Sequence, residues 1–315
     1  MKIRKDKLYT LSFFLSPMLI IVVLFYLIPL VLTVYISFTG MKNWNIERYM
    51  HDFVGFYNYQ RLFHMFKYDP TFKAVVLTTI VFVGITLIIN VFGGLGLALA
   101  TFFMSERPGN IYRLLWLLPR MSPIAVYSLV WYYFFHGSEI GTLNSILLKL
   151  GLISEPIPFG QIIPWGAWSI IIFVNGLVGV SFGMIVFTSA LNQIPKEIVI
   201  AARVDGASGW QISKRILFPM MKWHFLYVLT WQFLSLLTTY PHLFLLVEWD
   251  LVNRDYGTTL ALYVFNTAFG RGEQEQGLAA AAAVILSILG IIGGVITLKV
   301  LEFEKMIKKP RGEIE

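Results

Sequence analysis

No cysteine occurs in the 315 residues, which excludes disulfides and thiolate metal sites and leaves the compartment open. Charge is scarce too: Asp, Glu, Lys and Arg make up 14% of the chain, while 57% is hydrophobic. Soluble domains carry about a quarter charged residues, so a single water-soluble core is excluded and a polytopic membrane protein is indicated. There is no G-x-x-x-x-G-K-[ST] stretch, hence no phosphate-cradling loop for ATP in this chain. The five histidines, His51, His64, His136, His224 and His242, form no H-E-x-x-H or i,i+4 pair, and no serine nucleophile elbow is present. No enzyme activity, catalytic residue, metal site or bound cofactor is therefore expected. Nor do the long apolar runs contain Asp or Glu, the groups through which a proton- or sodium-coupled carrier works.

What remains is long apolar sequence. Six runs are near 20 residues or longer, 11–38, 74–103, 111–135, 165–190, 225–247 and 278–300, and each can cross hydrocarbon as a helix. Lipid offers no partner to an open strand edge, and the runs do not alternate, so helices are expected rather than a barrel. The fold class expected is all-α, a polytopic bundle of six transmembrane helices forming one domain over 1–315. With the N-terminus inside, sixteen Lys and Arg fall on inner segments, among them Lys2, Arg4, Lys305, Lys308, Lys309 and Arg311, against eight on outer ones. That bias places both termini in the cytoplasm and makes the net charge of +7 a matter of topology rather than of nucleic-acid binding. The opening MKIRKDK and the apolar run after it read as a signal anchor, because the run is too long for a cleavable signal and no A-x-A site follows.

External loops are expected at 39–73, rich in aromatics, and at 136–164. In the second, Leu143, Ile146, Leu147 and Leu150 share one face of a short helix, which suits either a packed surface element or a substrate contact. Gly93, Gly96 and Ala100, and likewise Gly290, Gly293 and Gly294, are small enough to mark helix–helix contacts.

Between the fourth and fifth runs lies a polar, basic island, 191–222, that reads as two short helices joined at a glycine. Pro195 suits a first helical turn, Ile198, Ala201 and Ala202 share a face, and Asp205-Gly206 ends the first helix where positive φ is needed. Ser208 and Gln211 have capping-box spacing, Trp210 and Leu217 lie seven apart on one face, and Pro219 closes the segment. Such an island suits docking to another protein.

Polar residues inside the runs are few. Arg120 lies seven residues beyond Arg113, about 10 Å along a helix, where an unpartnered charge costs about 2.5–3.5 kcal/mol. Two readings stand: it snorkels or binds carbonyls freed by Pro119 and Pro123, or it serves as a gate or substrate contact. Asn175, Gly179 and Phe182 fall at i, i+4 and i+7 of the fourth run, and Gln232, Ser235 and Thr239 form a similar stripe in the fifth. Amides, hydroxyls and aromatic faces are the groups that bind carbohydrate, although Asn175 equally suits a helix–helix hydrogen bond.

The island resembles the EAA loop of the permease subunits of binding-protein-dependent ABC importers. That motif reads P-K-E-L-x-E-A-A-x-x-D-G-A, with nine residues between its glycine and I-x-L-P. Pro195, Lys196, Glu197, Ala201, Ala202, Asp205, Gly206, Ala207, Ile216 and Pro219 stand at matching positions. FVGFYNYQRLF, 53–63, is similar to F-V-G-L-x-N-Y-x-x-L-F, and YRLLWLLPRMSP, 112–123, resembles F-R-x-x-x-x-L-P-x-x-x-S-P, both of the carbohydrate branch and its maltose-type first permease. The likeness covers nearly the whole chain. Ile200 stands where the motif has a Glu, Phe218 replaces the Leu before the closing Pro, and Val247-Glu248-Trp249-Asp250 replaces a T-G-G-P-like turn.

The resemblance implies that Glu197, Ile198, Ala201, Ala202, Asp205, Gly206 and Trp210 couple the chain to an ATPase, with Lys214 and Arg215 meeting acidic rim groups. It also implies that Asn175, Val178, Gly179 and Phe182, with Gln232 and Ser235 of the neighbouring stripe, line a substrate path. The partners it implies are a second homologous permease, two ABC ATPase subunits that use ATP and Mg, an extracellular or periplasmic substrate-binding protein, and the lipid of a prokaryotic cell membrane. The function expected is a permease subunit for a sugar or oligosaccharide. Rival readings are the same machinery carrying glycerol phosphates or uronate oligomers, and a membrane scaffold without transport.

Overall fold

The structure is a computed structural model and describes residues 5–49 and 51–300. Lys2, Arg4, Lys305, Lys308, Lys309 and Arg311, on which the expected cytoplasmic termini partly rest, lie outside the described residues. The helices run in order α1 (Lys5–Val22), α2 (Ile28–Ser37), α3 (Ile46–Tyr49), α4 (Tyr57–Tyr68), α5 (Pro70–Phe102), α6 (Glu106–Met121), α7 (Ile124–Phe135), α8 (Thr142–Lys149) and α9 (Trp165–Asn192). They continue with α10 (Lys196–Val204), α11 (Gly209–Ile212), α12 (Phe218–Met220), α13 (Lys222–Thr238), α14 (Pro241–Glu248), α15 (Arg254–Gly257), α16 (Leu260–Phe269) and α17 (Gln276–Val300). Helix takes up 79% of the structure and no strand occurs among the described residues, so the fold is all-α.

Four stretches are long and apolar enough to cross a membrane: Phe13–Ser37, Pro70–Phe102, Trp165–Asn192 and Gln276–Lys299. They correspond to the first, second, fourth and sixth apolar runs. The third run is not one straight helix, because α6 and α7 meet at 99° across Ser122 and Pro123. The fifth is broken as well: α13 stops at Thr238, Thr239 is extended, and α14 restarts with Pro241 in its first turn. Proline lacks the N–H that would continue the ladder and pushes the residue before it out of helical geometry, which accounts for both breaks.

Two other prolines are absorbed without a break. π-helical turns at Val23–Leu27 and Ser213–Leu217 each end two residues before a proline, Pro29 and Pro219. One extra residue in the turn relieves the clash between the ring and the carbonyl behind it, and the helix runs on. Pro219 therefore does not close the island as expected. It sits inside α12, and the path bends only at Met221 before entering α13.

By internal contacts the chain divides into two compact units, one of residues up to Tyr68 with Tyr263–Ser287, the other of Asp69–Leu262 with residues from Ile288 on. In the first unit the most apolar part of Phe13–Ser37 has no buried residue, and Phe14, Phe25 and Val31 are exposed as in a helix bathed by lipid. The loop after α2 is tied down by Asn58, whose Nδ2 donates to the carbonyls of Ser37 and Thr39, each at 2.9 Å. Phe38 packs beside it on Phe53, Phe56 and Tyr59. Glu275 then receives Arg61 Nη1 at 2.6 Å and Lys42 Nζ at 3.1 Å. Burial alone would raise the Glu275 carboxyl, but hydrogen bonds from Arg61 and Lys42 hold it below its ordinary value of 4.5.

The second unit is built on α5 against α9, its most extensive helix pair. α5 starts cleanly, with Pro70 at its first position and the Asp69 carboxylate accepting the Thr71 N–H at 2.9 Å. A Cβ on Gly94 would lie 2.8 Å from both the Gly183 Cα and the Met184 nitrogen, so here the two backbones touch. Of the contacts expected on α5, Gly93 does meet α9, where a Cβ would lie 2.9 Å from Val180 Cγ2, but Gly96 and Ala100 are exposed and the seam runs instead through Gly94 and Ala98, both buried. On α17, Gly290 and Gly293 face Leu234 and Phe233 of α13, whereas Gly294 opens onto free space. α8 is present but inverted relative to expectation. Its fully buried residue is Asn144, which bonds the His136 and Ile157 backbone at 3.0 Å, while Ile146 and Leu150 are exposed.

Two outcomes follow from these contacts. Gly94→Ala is expected to destabilise the second unit by about 1–3 kcal/mol, because backbone cannot yield as a side-chain tip can; an unchanged melting temperature in detergent would refute the close approach. For Glu275, whose folded carboxyl titrates below its unfolded value, the stabilisation is complete above about pH 4.5 and fades as pH falls through the lowered value. Glu275→Gln should therefore flatten the acid limb of a melting-temperature profile taken between about pH 6 and pH 3.

Candidate functional site

The two helix breaks of the second unit open onto one cavity of about 230 Å³. Arg120, Ser122 and Ile124 border it from the bend between α6 and α7, and Thr239, Pro241 and His242 from the gap between α13 and α14. α9 supplies the wall between them. All six residues expected on the substrate path, Asn175, Val178, Gly179, Phe182, Gln232 and Ser235, line this space, as does Thr239 from the same stripe.

Polar groups in and behind its wall form a chain across four helices. Asn90 of α5 donates from Nδ2 to Gln232 Oε1 at 3.2 Å and, at 3.5 Å, to Asn175 Oδ1. Gln232 Nε2 donates to the Gly179 carbonyl at 2.7 Å, and Asn175 Nδ2 lies 3.3 Å from His242 Nε2, which accepts when unprotonated. Asn90 is fully buried and its Oδ1 has no partner among the described residues. Gly179 is what lets this amide in, because a Cβ there would collide with the Asn90 side chain. Gln232 is 5% exposed and both ends of its amide are engaged, so its place is in the wall. Asn175 also makes the helix–helix bonds that the sequence left as an alternative.

The aromatic side of the cavity is a stack. Phe182 lies on Trp231 with ring centroids 6.0 Å apart and planes at 23°, and the Arg120 guanidinium sits 5.4 Å above the Phe182 centroid. Asn90, Tyr127, Trp231 and His242 were not singled out from sequence. The one readable signal was for Asn90, a lone amide within the 74–103 run, which hydrocarbon does not tolerate without a partner.

The island departs from the bundle at Gln193. Pro195 caps α10 rather than sitting in its first turn, and Asp205 is the C-cap. Gly206 takes φ +82°, its N–H bonds the Arg203 carbonyl at 3.0 Å, and the Ala207 N–H reaches back to the Ala202 carbonyl at 2.9 Å. These are the paired bonds of a Schellman stop. Ser208 and Gln211 then form the capping box expected of them.

The elbow has two apolar faces. Val199, Ile212 and Leu217 are buried in one core with Val91, Leu95, Phe187 and Leu191, and Ala202 leans against it. Glu197, Ile198, Ala201, Asp205, Gly206 and Trp210 are exposed, along with Ile200, which stands at the motif's Glu position, and Val204, which the sequence did not single out. Two expected face-sharings fail. Ala202 turns inward from Ile198 and Ala201, and Trp210 is 72% exposed while Leu217 is fully buried, the intervening π turn having rotated one against the other.

Residues 90–302 match the family model described as binding-protein-dependent transport system inner membrane component. The chain is 27% identical over 288 residues to the alpha-glucoside transport system permease protein AglF of Rhizobium meliloti (strain 1021), covering 88% of this chain and 77% of that protein. It is 26% identical over 257 residues to the lactose transport system permease protein LacF of Rhizobium radiobacter, covering 81% of this chain and 82% of that one. Its fold is shared by a chain in the crystal structure of a bacterial alginate ABC transporter in complex with an alginate pentasaccharide-bound periplasmic protein, with TM-score 0.75, 18% identity and 93% of both chains covered. The relatives are transport permeases rather than enzymes. With its several membrane-length helices and a family match running from within α5 to just past α17, the chain is a multi-pass membrane protein and belongs to the inner-membrane components of binding-protein-dependent transport systems.

Proposed function

We propose that the chain is the permease subunit of an ATP-driven importer for a sugar or oligosaccharide, working with a second homologous permease, two ABC ATPase subunits and a substrate-binding protein outside the membrane. One observation carries the reading. α9 lines the cavity through Asn175–Phe182 and, about one and a half to two and a half turns further on, enters through Phe187 and Leu191 the same core that holds the elbow. Force applied at the elbow thus has a packed route to the cavity wall.

The chain has no phosphate-binding loop, so the ATP and Mg belong to the partners. The exposed Ile198, Ala201, Val204 and Trp210 suit burial in a cleft of the ATPase, while Lys214 and Arg215 suit its acidic rim. Ile200 in place of the motif's Glu replaces a salt bridge with apolar contact. Counting the bent α6–α7 and the broken α13–α14 as one crossing each completes a six-crossing bundle. The Lys and Arg bias then supports a cytoplasmic elbow and cytoplasmic termini. Alternating access exposes the cavity first outward, to the binding protein, and then inward. The permease names of the relatives for alpha-glucoside and lactose support a saccharide cargo.

A bulky residue at Gly206 forces a positive φ on an L side chain at a cost of about 1–2 kcal/mol. In the reconstituted complex, Gly206→Val should cut ATP-driven saccharide uptake by about tenfold or more while membrane insertion stays normal; uptake at the original rate would overturn the coupling role. Asn90→Leu should strand the acceptors of Gln232 and Asn175, lower stability by about 1–3 kcal/mol and reduce uptake with it, as thermal-shift and transport assays on one preparation would read.

A further inference from the structure

We propose that Arg120 reads charge in this cavity, its guanidinium taking a carboxylate of the passing saccharide, so that the permease favours an acidic, uronate-bearing oligosaccharide over a neutral one. The inference rests on the saccharide reading above and narrows its substrate class.

The first ground is charge. Arg120 is the one cationic residue on the cavity wall, no Asp or Glu lines the cavity, and Arg120 forms no ion pair among the described residues. Arg120 is exposed rather than buried within the bundle, so an anion entering the cavity meets its charge with no competing carboxylate beside it.

The second ground is hydrogen-bonding capacity. The hydroxyls of Tyr127, Ser122 and Thr239 already donate to the carbonyls of Val174, Leu118 and Ser235, at 2.6, 3.1 and 2.7 Å. The Gln232 amide is held by Gly179 and Asn90. Beside the Ser235 hydroxyl, the Asn175 amide and the His242 ring, the wall offers the N–H fork of Arg120, a group with five donors and no acceptor. A carboxylate fits that fork with two parallel bonds, which a sugar hydroxyl cannot do.

The third ground is placement. The guanidinium lies over the same Phe182 ring that stacks on Trp231. A pyranose resting its C–H face on that aromatic surface brings an acid group on the ring edge within reach of Arg120.

The test measures equilibrium binding of trigalacturonate and maltotriose to the detergent-solubilised permease complex, read by Trp fluorescence and by calorimetry, for the native chain, Arg120→Gln and Arg120→Lys. The native complex should prefer trigalacturonate, and that preference should fall about tenfold in Arg120→Gln, fall less in Arg120→Lys, and shrink with added salt. Size-exclusion profiles of the three complexes show whether each variant assembles, and the ratio between two ligands on one preparation is insensitive to its active fraction. If maltotriose binds and the ratio is the same in all three proteins, Arg120 does not read charge and the saccharide reading survives. If neither sugar binds the native complex, both fall together.

Discussion

The contact of two backbones, α5 at Gly94 and α9 at Gly183, is the constraint on which the rest depends. Lipid supplies no hydrophobic force between helices, so their association relies on close packing and hydrogen bonds. With the backbones touching, the Asn90 side chain one turn earlier on α5 lies against the bare face of Gly179 and reaches both Gln232 and Asn175. Larger residues along this seam would hold the helices apart and leave those amides unpaired, each at a cost of about 1–3 kcal/mol. The polar wall of the cavity thus follows from glycine positions rather than from the amides themselves.

The same seam ties the cavity wall to the elbow. The middle of α9 faces the cavity and its C-terminal turns are packed on one side, with Phe187, Ala190 and Leu191 buried in one core with Val91, Leu95 and Ala98 of α5, while Ile185 and Ser189 are exposed. The elbow joins that core through Val199, Ile212 and Leu217 and keeps a second set of apolar side chains outside it. Packed interiors transmit displacement because they have few voids to absorb it. A segment anchored on one side and open on the other suits a lever better than a flexible tether, and the Schellman stop and capping box fix its angle from both directions.

How much of this was legible depended on whether the signal was local. The elbow was readable because its caps are local chemistry: Gly206 at positive φ and the Ser208–Gln211 pair need only neighbouring residues. The i, i+4, i+7 stripe of Asn175, Gly179 and Phe182 was readable because a helix period is local as well. The proline effects were not, since the same residue breaks a helix at Pro123 and Pro241 yet is absorbed by a π turn at Pro29 and Pro219. The π turn in turn shifted Trp210 out of line with Leu217, an error that strict 3.6-residue counting makes inevitable. Choosing Gly94 over Gly96 as the contact required knowing which face of α5 meets α9, which is tertiary information.

The breaks also explain why the cavity lies where it does. A helix interrupted inside hydrocarbon leaves backbone N–H and C=O groups without partners, and such ends are tolerated only where protein or a polar space receives them. Here the C-terminal ends of α6 and α13 and the N-terminal ends of α7 and α14 border one space, and the residues at those ends, Ser122, Ile124, Thr239 and Pro241, are part of its wall. Thr239 already folds its hydroxyl back onto the Ser235 carbonyl, and Ser122 does the same to Leu118, satisfying two of the freed acceptors locally. Closing either break into a continuous helix would satisfy the backbone internally and withdraw Ser122 or Thr239 from the wall, so the prolines that interrupt the two helices shape this space.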